Sequence, residues 1–456
     1  MCVTVFSSNS RRQIDKTGQT AIITGPMFLV KKKKTKRVAV VGLDGVPHGL
    51  VENLARTGVM PRLSELLAAM HLHRMKAGLP EISAVSWTDF MTGTNSGGHG
   101  VFGFTDLKPN SYSLRFPNFQ DVKAPVFWDT LGERDKRCII LNQPSTYPAR
   151  KLNGVLVSGF VAVDFEKAVW PAAHIAPLKK MGYQVDIDTA QSRRDPEFFW
   201  KDLQKTFDGR GKALDYFWGQ EWDYFELVVT GTDRLHHYHW QAGRDAQHVY
   251  HARFLDFYRQ VDRLIGKIID RLDRLGQGDA LYLLSDHGFT GIEQEVYLNA
   301  WLQKEGYLKF KSDAPQGLED IAPGSAAFAL DPNRIFINIE GRFPAGAVKD
   351  SARAGLKQEI AAKLAGLEYQ GKKAVRRVFD AADVYSGPYA DRGPDLLVLS
   401  EYGFDLKGSV KKKEVFGRSD LQGMHTWDDA FFLAAEDHGP DLAISDLAEI
   451  LMKNFQ

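Results

Sequence analysis

The stretch Arg37-Val38-Ala39-Val40-Val41-Gly42-Leu43-Asp44-Gly45 decides how the rest of the chain is read. It is a short apolar run, rich in valine, that ends abruptly in an acid and a glycine. A strand that is apolar at every position is buried on both faces, as in the middle of a parallel sheet. Comparable runs recur at 138–141, 225–229, 280–284 and 396–399, separated by helical stretches. The expected fold is therefore α/β, a mostly parallel sheet sandwiched by helices. Helices are expected at 49–57, 61–70, 85–91 and His251–Leu275; in the last, Phe254, Phe257, Val261, Leu264, Ile268, Leu272 and Leu275 make one core-facing stripe.

Two further runs end as the first does. The run at 225–229 continues through Thr230-Gly231-Thr232 into Asp233, and that at 280–284 through Ser285 into Asp286-His287-Gly288. Ligands of open α/β sheets bind beyond the carboxyl ends of the strands, so three separate segments aim carboxylates at one edge. A single Asp there is readily a turn residue or helix cap. Three together repel one another unless a cation neutralises them, which points to metal. Asp233 and His237 are four apart and share a helix face. Mixed Asp/His ligation suits zinc, and also manganese or iron, better than magnesium or calcium. His236, His239 and His99 are read as supporting or structural.

A nucleophile is offered by Glu81-Ile82-Ser83-Ala84-Val85-Ser86-Trp87, running on to Thr92-Gly93. Ser83 would stand at the N-terminus of a helix closed by Thr92-Gly93, where the dipole and free amides favour an alkoxide and an incoming phosphate. Two alternatives stay open: Ser83 caps the helix and nothing more, or Ser86, about one turn on, is the nucleophile.

Composition narrows the field. Apolar residues make up 44% of the 456 residues and charged residues 25%, which is ordinary for a folded chain. Lys plus Arg number 58 against 57 Asp plus Glu, so the basic excess of a nucleic-acid or anionic-membrane binder is missing. Two cysteines, Cys2 and Cys138, make no disulfide framework, and no apolar run is long enough to span a bilayer. Residues 1–36 carry loop-like polar sequence and then Lys31–34, the reverse of a signal peptide's order. They are expected to be a disordered leader or an extension before a true start at Met27, and the protein is expected to be cytoplasmic. Segments at about 160–222 and 301–390 fit the strand series less well. The second carries one further strand at 335–339 and an amphipathic helix near 356–367. Both segments are expected to be insertions forming a cap or second lobe.

The ordered set of motifs resembles the alkaline phosphatase superfamily, in its type I phosphodiesterase/nucleotide pyrophosphatase branch. The matching pieces are Val41-Gly42-Leu43-Asp44-Gly45, the Ser83 to Gly93 stretch running on to His99-Gly100, Gly231-Thr232-Asp233 with His237, Ser285-Asp286-His287-Gly288, and Gly423-Met424-His425. They span 37–456, which the resemblance makes one alkaline-phosphatase-like catalytic domain. It implies two divalent ions, zinc first and manganese next. Asp44, Ser83, Asp286 and His287 would surround one, and Asp233, His237 and His425 the other. His425 enters only through the resemblance; taken alone it reads as an ordinary loop histidine. The branch usually has Thr where Ser83 stands, a change that keeps the hydroxyl.

Two ions ~4 Å apart suit in-line phosphoryl displacement. Ser83 would attack to give a covalent phosphoseryl intermediate that water then hydrolyses. The expected activity is that of a phosphodiesterase or nucleotide pyrophosphatase on a small-molecule phosphate ester, with no nucleic-acid polymer and no membrane as partner. The alternatives are a phosphomonoesterase or phosphomutase of the same superfamily, and a non-catalytic metal-dependent binding protein.

Overall fold

The computed structural model describes residues 36–456 apart from 277–279. Residues 1–35 form a separate unit in which only the antiparallel pair Gln13–Ile14 and Thr20–Ala21 is described. The extension expected over 1–36 otherwise lies outside the described residues.

Valine-rich segments extend because β-branched side chains pack well on a pleated surface. Nine strands form the central sheet: β1 (Val38–Leu43), β2 (His71–Lys76), β3 (Cys138–Leu141), β4 (Gly154–Val157), β5 (Val169–Trp170), β6 (Tyr224–Val229), β7 (Leu281–Leu284), β8 (Ala430–Ala434) and β9 (Leu442–Ala443). Their order is β9-β2-β8-β7-β1-β6-β3-β4-β5. Strands β4, β3, β6, β1 and β7 are parallel neighbours, and only β5 and β8 run against the majority direction. The expected mostly parallel sheet is present. Its two faces are buried under separate apolar clusters, since Val41 and Leu43 enter one and Val38 and Val40 the other.

Register positions the site. Gly42 of β1 stands opposite Val228 of β6 and Leu284 of β7, so the three strands end level with one another. Gly42 also has no room for a side chain: a Cβ there would lie 2.5 Å from the ring of Trp87 and 3.1 Å from Val228. Gly42→Ala is expected to destabilise the fold by about 1–3 kcal/mol through overpacking. Urea denaturation followed by tryptophan fluorescence would show it, and an unchanged midpoint would contradict the packing described.

Among the helices, α1 (Ser83–Thr92) is buried at nearly every position and ends at Gly93 with φ 66°, the left-handed conformation that glycine supplies readily. Helices α2 (Pro196–Trp218), α3 (Gly231–Arg244) and α4 (His251–Leu275) follow. The stripe expected in α4 is buried from Phe254 to Leu272, while Leu275, in the last turn, is only partly buried; Phe254, Phe257, Val261 and Ile268 join the same cluster as β1. That cluster also takes Phe199, Leu203 and Leu214 of α2. Within 160–222, then, the helix packs on the main sheet.

One strand assignment needs correction. The run at 396–399 is not a central parallel strand. Leu396–Ser400 lies in a second, four-stranded sheet, between Arg334–Ile337 and Val375–Asp380 and antiparallel to both, with Ala327–Leu330 at the edge. It looked like a central strand because it is covered on both sides: Leu396 and Val398 enter one apolar cluster, Leu397 and Leu399 another. The helix Asp350–Ala365 covers this sheet with Ile360 and Leu364. Among the described residues no helix is long and apolar enough to cross a membrane.

Candidate active site

All three acid-bearing strand ends deliver their residues to one place. Asp44 leaves β1, Asp286 and His287 leave β7, and β6 feeds α3, which carries Asp233 in its first turn and His237 one turn later. The strand ends are tied together: Thr232 Oγ1 donates to the Asp44 carbonyl at 2.6 Å, and the Gly45 amide donates to Asp286 Oδ1 at 3.0 Å. Gly45 holds φ 65°, which lets its amide turn toward that carboxylate. His425 arrives separately, on the strand Gly423–Thr426, which pairs antiparallel with Gly288–Gly291 and sets His425 opposite Phe289.

Ser83 is the first residue of α1, and its side chain makes no capping bond. Instead its hydroxyl donates to Asp44 Oδ1 at 3.3 Å and lies 3.3 Å from His287 Nε2. Ser86, the rival, is fully buried and accepts the Gly78 amide at 3.2 Å. His236 and His99 also face inward, His236 between the Gly45 carbonyl at 2.8 Å and the Tyr258 hydroxyl at 2.6 Å, and His99 against Asp89 at 2.6 Å. His239 is buried, stacked on Trp200.

The donor set fits metal on three observations. Two donor groupings are compact enough for an ion: Asp233, His237 and His425, and Asp44, Asp233 and His287. In the first, Asp233 Oδ1 lies 3.2 Å from His425 Nε2 and 3.4 Å from His237 Nε2, and the two Nε2 atoms are 3.0 Å apart. A tetrahedral ion with bonds of ordinary zinc length separates its donors by about 3.3 Å. Second, the tautomers agree. His237 Nδ1 faces the Gly423 carbonyl at 2.9 Å, His425 Nδ1 the Glu81 carbonyl at 2.9 Å, and His287 Nδ1 the Gly288 carbonyl at 3.0 Å. A carbonyl accepts only, so each Nδ1 carries the proton and each Nε2 presents a lone pair. Two lone pairs 3.0 Å apart repel unless a cation lies between them. Third, Asp233 Oδ1 and Asp286 Oδ2 are buried with no hydrogen-bond donor, a costly state for a carboxylate without a counter-ion.

Electrostatics agree. Burial, then the Asp286 and Asp233 charges, raise the Asp44 carboxyl well above the usual range, and burial pushes Asp286 up to about 7. Burial lowers His237 and His287 to about 4 and lowers His425 too. Burial alone would raise Asp233, but His237, His425 and Arg234 outweigh it and hold that carboxyl low. The imidazoles resist protonation while burial disfavours the charged forms of Asp44 and Asp286, and a divalent cation answers both.

Asp44, Ser83, Asp233, His237 and His425 open onto a chamber of about 730 Å³, while Asp286 and His287 lie fully buried behind them. Arg234 stands in its wall, bonded to Asp186 through Nε at 3.0 Å and Nη2 at 2.6 Å, and to Asp233 Oδ2 through Nη1 at 3.0 Å. Neither Arg234 nor Asp186 was legible as a site residue. Arg234 has a signal in hindsight, since it follows Asp233 directly; Asp186 comes from a distant loop that no motif marks.

The sequence model of the type I phosphodiesterase / nucleotide pyrophosphatase family matches residues 38–428. The chain belongs to that family. As a type I phosphodiesterase / nucleotide pyrophosphatase family member it is a phosphoester hydrolase, and the matched span contains each of the seven site residues. Solved structures agree on the fold. Phosphonoacetate hydrolase from Sinorhizobium meliloti 1021, in complex with phosphonoacetate, is similar at TM-score 0.62 and 15% identity, over 98% of this chain and 100% of that one. Murine ectonucleotide pyrophosphatase / phosphodiesterase 5, as an inactive variant in complex with AMP, is similar at TM-score 0.54 and 13% identity, over 92% of this chain and 94% of that one. No curated protein matches the chain.

Proposed function

We propose that the chain is a metal-dependent phosphodiesterase in which Ser83 is the nucleophile and Asp44, Ser83, Asp233, His237, Asp286, His287 and His425 hold two divalent ions. Zinc is favoured over manganese on the imidazole content. The observation that carries this reading is the Ser83 hydroxyl, uncapped and 3.3 Å from both Asp44 Oδ1 and His287 Nε2, at the floor of the chamber. Bound there, the ions would supply charge to acidify the hydroxyl and neutralise the phosphoryl oxygens.

The protein's own part follows from its geometry. Asp44 Oδ1 accepts the Ser83 hydroxyl hydrogen bond and orients Oγ. Ser83 Oγ gives up its proton along that hydrogen bond to Asp44 Oδ1 and attacks phosphorus in line, the bond to the leaving oxygen breaks, and the leaving oxygen takes a proton from water and departs through the chamber as the alcohol. Water then cleaves the phosphoseryl ester, so one hard displacement becomes two easier ones. The N-terminus of α1 places its positive dipole end at the developing charge. Asp233 is held in place by Arg234, which is itself clamped by Asp186. We place the enzyme in the cytoplasm on its cysteine usage, and we assign a cap role to the residues near 160–163 that border the chamber and to the second-sheet lobe, in which the 301–390 segment is joined by Leu396–Ser400.

Initial rates of the zinc-loaded protein on bis(p-nitrophenyl) phosphate and on p-nitrophenyl phosphate test the reading. The diester is expected to be the better substrate by at least tenfold in kcat/KM, a difference of about 1.4 kcal/mol in barrier. A preference for the monoester would move the assignment to a phosphatase or phosphomutase, and no turnover of either to a binding protein.

A further inference from the structure

The chamber above Ser83 is apolar almost to its floor. Val101, Phe104, Val122, Tyr147 and Phe160 form walls, and Phe116, Val161 and Val163 line it nearer solvent, where they are 74, 45 and 80% exposed. Among the described residues only seven large apolar side chains are exposed, and three of them are at this chamber. A fourth, Leu114, is two residues before Phe116. Exposed apolar groups scattered singly need no explanation, but their concentration around one cavity does.

Several polar groups in the walls are already engaged within the protein. Thr88 Oγ1 donates to the Ala84 carbonyl at 2.6 Å and Ser145 Oγ to the same carbonyl at 3.3 Å, while Thr230 Oγ1 accepts from Asn142 Nδ2 at 3.3 Å. Arg234 is the only Lys or Arg among the described lining residues, and its guanidinium is committed to Asp186 and Asp233 and stacks over Phe160 at 4.5 Å. A second phosphate, a ribose or a polar base would therefore be desolvated against walls with few free partners, which is costly. A hydrocarbon chain would lose nothing and gain its transfer energy.

We propose that the organic group esterified to phosphorus in the substrate is a long apolar chain, an aliphatic or isoprenoid alcohol, with the phosphoryl group at Ser83 and the chain running along the wall that Phe104 and Phe160 form together, toward Phe116 and Val163. This rests on the phosphodiesterase reading and specifies its substrate class.

A homologous series tests it: methyl, butyl, octyl and dodecyl p-nitrophenyl phosphodiesters below their micelle concentrations, with thymidine p-nitrophenyl phosphodiester as the nucleoside counterpart. Burial of each methylene is worth about fourfold, so even with part of the chain left in water kcat/KM is expected to rise at least ~100-fold from methyl to octyl. The octyl ester should also outrun the thymidine ester. The double variant Phe116→Asp with Val163→Asp, at two exposed positions, should cut the octyl-to-methyl ratio by at least tenfold; a ratio within one variant is insensitive to how much protein folds. A flat chain-length series, or a preference for the thymidine ester, overturns the inference. If no ester turns over, calorimetry with methyl and octyl phosphate separates the two readings. Tighter octyl binding keeps the apolar-chain site and removes the reaction, and equal binding removes both.

Discussion

Ser83→Ala is expected to lower kcat on bis(p-nitrophenyl) phosphate by at least roughly 10³-fold while zinc content stays at two per chain. Loss of a covalent nucleophile costs on that scale or more, because the remaining charge stabilisation and binding supply only a residual rate. Metal retention is expected because the variant leaves untouched six of the seven proposed donors, among them all five carboxylates and imidazoles that group closely enough to hold an ion. Ser86→Ala is the matched control. Its hydroxyl is buried and occupied by the Gly78 amide, so it should cost stability and leave kcat within about tenfold. Should Ser83→Ala turn over at the wild-type rate, the nucleophile assignment is wrong; loss of activity in Ser86→Ala alone would move it one turn along α1.

His425→Ala is expected to have the second largest effect, by a different route. It removes one of three donors that converge within 3.4 Å and leaves Asp233 Oδ1 and His237 Nε2 without their closing partner. Removing groups that merely orient a ligand costs 10–100-fold in metal affinity, so removal of a donor itself should cost more than ~100-fold. Metal content measured by mass spectrometry should fall from two per chain toward one, and activity should return partly at high zinc concentration. His99→Ala, by contrast, breaks the buried contact with Asp89 and should lower stability without changing the number of ions bound. An unchanged stoichiometry in His425→Ala would refute its place in the donor set.

These two residues differ in how visible they are in sequence. Ser83 is visible as a candidate because its helix announces itself, from the approach at Glu81-Ile82 to the glycine stop at Gly93, although the helix alone leaves Ser86 open as well. Asp44, Asp233 and Asp286 could be found because apolar strands in a parallel sheet end at one edge, and the register of β6, β1 and β7 makes those ends level. His425 could not. It lies on a four-residue strand whose pairing with Gly288–Gly291 is a tertiary event, and only the family resemblance singled it out. The same limit explains the strand at 396–400, since burial on two faces does not say which sheet does the burying. The chamber was legible least of all. Phe104, Phe116, Tyr147, Phe160 and Val163 come from loops with no periodicity, and their neighbourhood exists only once the chain has folded.

The central claim is that these seven side chains form one two-metal centre with Ser83 at its edge. Anomalous diffraction at the zinc edge, on crystals grown with zinc, tests it most directly. The account predicts two peaks ~4 Å apart. One should lie among Asp233, His237 and His425, and the other among Asp44, Asp286 and His287 beside Ser83 Oγ. A single peak, or peaks that leave Ser83 Oγ outside bonding distance of either ion, would contradict it.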